Sequence, residues 1–151
     1  MAEDKAFFEK VAMTSKELAE YLSNPYLARI ASVRSEKPYV TPVWYLYDGE
    51  NFLVSTGVNT QQARNVQSNP NVSLVIDSSE GMFAHKCVIV RGKAQTSKAG
   101  HPEITRKIYA RYLGESGLKN QFAQQLLKED QYIVKIVPTR IITWDYTKLI
   151  K

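Results

Sequence analysis

"PYVTPVWYLYDGENFLVST", residues 38–56, decides the architecture. Residues 38–48 are dense in β-branched and aromatic side chains, and Asp48-Gly49 is a turn signal before a second such run at 51–56. Pro42 lies inside the first run. Without an N–H it cannot donate to a sheet ladder, so it marks an edge, a bulge or a break. Bulges leave backbone groups free and gather near active sites. Trp44 and Tyr45 point to opposite faces of their strand, so one is buried and the other is free to line a pocket or interface.

Outward from this stretch the same pattern repeats. "LARIASVR" (27–34) precedes it across the polar "SEK", which predicts a hairpin. "NTQQARNVQSNPNVSLVI" (59–76) reads as a short capped helix, an Asn-Pro stop and another strand. "AHKCVIVRGKAQT" (84–96) is a strand in which Gly92 allows a bend, and "QYIVKIVPTRIITWDY" (131–146) is a last strand region interrupted by Pro138. At the front, "TSKE" (14–17) forms a capping box for a helix over 14–23, with Met13 and Leu18 as its hydrophobic staple. Two helices fall late: "HPEITRKIYARYLGE", with Pro102 in its first turn and Gly114 at its stop, then "SGLKNQFAQQLLKED". About six mostly antiparallel strands with added helices predict an α+β chain closed into one small barrel, since closure removes exposed edges.

Composition narrows the class. The 151 residues are 44% hydrophobic and 23% charged, which fits a single globular domain over 1–151. No apolar run approaches the ~18 residues of a membrane span. The start lacks a signal-like apolar segment, and the lone Cys87 forms no internal disulfide, so a cytoplasmic location is expected. The net charge of +5 is scattered rather than blocked. Such a distribution favours a phosphorylated small ligand over nucleic acid. His85 and Cys87 share a strand face without a third ligand at metal-site spacing. No Ser-His-acid set, Gly-rich phosphate loop or carboxylate pair stands out. Arg106, Lys107 and Arg111 read as a solvated helix face or as the flank of a ligand groove.

Taken together, residues 28–76, "VIVRGKAQ" and "PTRIITW" resemble the pyridoxamine 5'-phosphate oxidase-like family, over about 27–97 and 131–146. The resemblance implies a six-stranded antiparallel split β-barrel, a homodimer, and FMN at the dimer interface. It lays the flavin ring along the second strand, here Thr41, Pro42, Val43 and Trp44 and on to Leu46. It brings the phosphate arm to Ser55 and Thr56 and to the next helix start at Thr60, Gln61 and Gln62. A helix N-terminus suits an anion because its first N–H groups are unpaired and its dipole is positive there. Trp144, with Lys86 or Cys87, would form a wall contributed by the partner subunit.

Two departures modify what is implied. In the oxidases proper an Arg-Lys pair stands where Gln61 and Gln62 do, and neutral amides bind phosphate about half as strongly as ionised donors. Arg64, one turn on, or Arg34, Lys86 or Arg91 from strands would restore the charge; otherwise backbone alone holds the phosphate, or none is held. The oxidases also continue past the tryptophan with an Arg- and His-bearing segment, whereas "DYTKLIK" has neither. The expectation is therefore an FMN-binding oxidoreductase acting on a small molecule other than pyridoxamine phosphate. An F420-dependent reductase, a non-catalytic member that has lost its cofactor or holds haem, and a single-strand nucleic-acid binder are the alternatives.

Overall fold

The computed structural model describes residues 2–150. Along the chain run α1 (Ala2–Val11), α2 (Ser15–Ser23), β1 (Ala28–Arg34), β2 (Lys37–Val43), β3 (Tyr45–Tyr47), β4 (Phe52–Gly57) and α3 (Gln61–Ser68). Then follow β5 (Asn71–Ser78), β6 (Lys86–Ser97), α4 (Glu103–Gly117), α5 (Gln121–Lys128) and β7 (Gln131–Asp145). The strand order is β2-β1-β5-β6-β7-β4-β3, and every neighbouring pair is antiparallel.

The two ends of that order are consecutive in sequence. Only Trp44 separates β2, paired with β1, from β3, paired with β4. The run read as one strand thus changes partner at its middle and joins the two ends of the curled sheet. That is the split barrel, and the count of seven rather than six comes from this division. Pro42, opposite Arg29, is tolerated because β2 is an end strand; the ladder runs on to Val43 opposite Ala28 before the break.

The predicted hairpin is present: Arg34 pairs with Lys37, and Ser35 and Glu36 turn between them at positive φ (48° and 62°). The strand core alternates as period two requires, with Ile30, Val54, Leu74, Ile76, Val88, Val90, Val134 and Ile136 buried around Tyr45 and Phe52. Pro138 does not interrupt β7. It sits where the β6–β7 register shifts, Gly92 facing Pro138 while Arg91 faces Arg140. A Cβ on Gly92 would stand 2.6 Å from the Val137 carbonyl oxygen, so the bulge requires glycine there.

The helices follow their caps. Thr14 and Glu17 form the reciprocal capping box of α2. Gly114, at φ 71°, breaks α4 where a stop was expected, and one further turn runs on to Gly117. The helix α1, whose mixed pattern gives no periodic signal, adds to the elements expected, and two readings are corrected. His85 lies just before β6, because Met82–Ala84 is a 3-10 turn. Arg111 is not a solvated cation: its Nη2 donates to the carbonyls of Leu22 (2.7 Å) and Asn24 (2.5 Å), fastening α4 to the end of α2.

Candidate functional site

The break at Trp44 opens a cleft. It holds about 650 Å³, within the ~300–1,000 Å³ usual for small-ligand sites. Thr41, Pro42, Val43 and Trp44 form one wall, and Ser55, Thr56, Thr60 and Gln62 form another. The structure therefore brings together most of the site residues expected from sequence, drawn from β2, the end of β4 and the start of α3. Tyr45 points the other way and is fully buried, so Trp44 is the member of that pair that lines the cleft.

Local chemistry sets this geometry. Thr60 caps α3, its hydroxyl accepting from the Ala63 amide (3.2 Å), and its carbonyl accepts from Arg64 N (3.2 Å). The Gln61 and Gln62 amides remain as the uncapped donors of the first turn. Gln62 is 5% exposed, and its Nε2 has no hydrogen-bond partner among the described residues. A buried donor left unpaired costs ~1–3 kcal/mol. Glu129 is the charged side chain on the lining, and no cation lines it among the described residues.

The remaining expected residues lie elsewhere. Gln61 is exposed and its Nε2 donates to Asn65 Oδ1 (2.6 Å). Arg64 donates to the Asn59 carbonyl (2.9 Å) and to Gln61 Oε1 (3.4 Å), so its guanidinium is spent on the loop before α3. Lys86, Cys87 and Trp144 sit at the start of β6 and the end of β7, outside the cleft. There Lys86 pairs with Asp145 at 3.1 Å, and Trp144 Nε1 donates to His85 Nδ1 at 3.2 Å. Burial leaves Cys87 2% exposed and pushes its thiol up to about 12, so it is not a nucleophile at neutral pH.

Sequence reading missed the far wall. Ile108 and Tyr109 of α4, Leu126 of α5 and Gln131 at the head of β7 close the cleft behind Trp44. Trp44 stacks on Tyr112 (centroids 5.0 Å apart, 6° between planes) and meets Tyr109 edge-on. Past these rings lies an apolar chamber of about 330 Å³ between α4 and α5, sharing Trp44, Tyr109 and Leu126 with the cleft. Thr105 is wholly buried on the same face of α4 and hydrogen-bonds Ser55 (2.8 Å). A hydroxyl on the otherwise apolar face Ile104–Ile108 was the available signal.

An antiparallel barrel closed through one broken strand, with a neutral, aromatic-walled cleft at the break and a helix N-terminus at its edge, defines a small-ligand-binding split barrel. A sequence model of the family described as pyridoxamine 5'-phosphate oxidase matches residues 14–145, and the chain belongs to that family. A curated relative, uncharacterized protein RA0666 of Rhizobium meliloti, is 36% identical over 69 residues, 46% of this chain and 45% of that protein. The match thus spans less than half of that relative. The conserved hypothetical protein Rv2991 of Mycobacterium tuberculosis superposes with a TM-score of 0.80 at 24% identity, over 94% of this chain and 91% of that one. A structure described as F420 reductase gives a TM-score of 0.65 at 23% identity, over 81% of this chain and 93% of that one.

Proposed function

We propose that the cleft binds FMN and that the protein is a flavin-dependent oxidoreductase, working as a homodimer on a small substrate other than pyridoxamine phosphate. The observation that carries this reading is Gln62. A buried, unpartnered amide donor at the α3 N-terminus is unexplained by the fold and is explained by a phosphoryl oxygen. The residues present fit the group: the start of α3, with Thr60 and Gln62 on the lining, stands at one end of the cleft, and the aromatic wall of Trp44 and Tyr109 at the other.

Bound there, the flavin would supply hydride or electron transfer at its N5, with no protein nucleophile required. The chain's own part is orientation and exclusion of water. β2 ends the sheet order, so its outer edge from Thr41 to Val43 is open to a ring running alongside it, and Trp44 follows at the break. Trp44, Tyr109 and Leu126 keep solvent from the inner side, and the apolar chamber behind them would receive an uncharged substrate group. F420 is the second reading, favoured by the likeness to the F420 reductase structure. A long anionic tail would find no lining cation, and Glu129 at the rim would repel it.

A visible absorption spectrum of the purified protein, followed by separate FMN and F420 titrations, tests the reading. FMN should bind with a shifted, resolved flavin band, and Gln62→Ala should weaken it ~10-fold, the worth of one hydrogen bond to a charged group. Wild-type protein that leaves the FMN spectrum unchanged, or binds F420 alone, would refute it.

A further inference from the structure

We infer that Ser55 meets the ligand as a hydrogen-bond acceptor, its hydroxyl turned inward by a chain that starts at His101, so that this wall of the cleft takes a ligand hydroxyl or N–H and not a phosphoryl oxygen. The inference rests on the flavin reading above and deepens it by dividing the cofactor's arm between the two sides.

The direction follows from counting donors and acceptors. Gln131 is 3% exposed, and its Nε2 donates to the Leu126 carbonyl at 2.7 Å and to the Tyr109 hydroxyl at 3.3 Å. A carbonyl only accepts, so the amide is fixed with its nitrogen toward Leu126 and its Oε1 toward Ser55. Ser55 therefore donates to Gln131 Oε1. A serine hydroxyl has one hydrogen, so Ser55 must accept from its other partner, Thr105 Oγ1, at 2.8 Å. Thr105 has then spent its own hydrogen, and the contact at 2.9 Å with His101 Nδ1 must be a donation from the ring. His101 accordingly carries a proton on Nδ1. No link is free to reverse while Leu126 offers a carbonyl.

Ser55 is half-buried and lines the cleft with one lone pair unused. A phosphoryl oxygen at that point would meet a lone pair. To bind it, Ser55 would have to withdraw its proton from Gln131 and strand a buried acceptor. A ribityl hydroxyl meets no such obstacle. The phosphate then belongs to Gln62 and the α3 amides, and the polyol to Ser55. His101 touches no ligand; it is a positioning residue acting through Thr105, which is 0% exposed.

Two measurements decide this. In the wild-type protein, ¹⁵N NMR of the neutral His101 ring should show Nδ1 protonated; Nε2 protonated with Nδ1 bare would overturn the inference, with or without cofactor. Riboflavin and FMN should then be titrated into wild type, Ser55→Ala and Gln62→Ala, each checked for native circular dichroism. Ser55→Ala should weaken both ligands by the same factor, ~3- to 10-fold, whereas Gln62→Ala should weaken FMN alone. A selective loss of FMN in Ser55→Ala, or no loss of either ligand, would overturn it. Wild type that binds neither flavin instead refutes the flavin reading, and the ring tautomer still decides the direction of the chain.

Discussion

Gln62 holds its place against its own energetics. Its Nε2 is buried without a partner, at a cost of ~1–3 kcal/mol, whereas an apolar side chain of similar volume would carry no such penalty. Methionine is that side chain, with similar length and helix propensity. Gln62→Met should therefore raise the stability of the cofactor-free protein by ~1 kcal/mol in urea denaturation while cutting its preference for FMN over riboflavin ~10-fold. A destabilised variant would mean that the amide is satisfied by something other than a ligand. The neighbouring polar side chains are engaged elsewhere, since Gln61 braces Asn65 and Arg64 braces the preceding loop. The cation offered by sequence spacing is thereby engaged away from the cleft.

At the scale of elements, β6 and β7 pair over most of their length only because one residue lacks a side chain. The register shift at Gly92 absorbs the extra residue beside Pro138, and the Val137 backbone fills the space a methyl group would need. Gly92→Ala should cost ~2 kcal/mol, read as a lowered urea midpoint with an unchanged slope, because the obstructing atom is backbone and cannot rotate aside. A variant as stable as wild type would show that the bulge yields. Such local devices were legible in the sequence: the Thr14–Glu17 box, the Thr60 cap and the Ser35–Glu36 turn act through neighbours along the chain, and Pro42 and Gly92 announce themselves by residue type. The far wall was not legible. Ser55 meets Thr105 across 50 positions and Gln131 across 76, and no periodicity encodes such a meeting. Arg111 escaped for the same reason, its three carbonyl partners at Leu22, Ser23 and Asn24 being supplied by a distant helix end.

For the whole molecule, the barrel closes through residues 37–47, so the cleft at the break faces outward from one edge, while Lys86 and Trp144 lie beyond it at the ends of β6 and β7. One chain does not bring these residues to the cleft. Under the homodimer proposed above, any residue that reaches the partner's cleft does so twice. On β2, Val40 is 62% exposed between the cleft residues Tyr39 and Thr41. If each site is built by both subunits, a defect on one side is repaired by a partner that is defective only on the other. Gln62→Ala and Trp144→Ala, each purified and shown to bind FMN poorly, should regain tight sites when unfolded together and refolded as a mixture. Random exchange would make about half the dimers mixed, each with one intact site of two, so roughly a quarter of all sites should return. Sedimentation must show two chains per particle for that figure to apply. Recovery of no tight sites from a dimeric mixture would show that Trp144 serves its own barrel and that the cleft is complete within one chain.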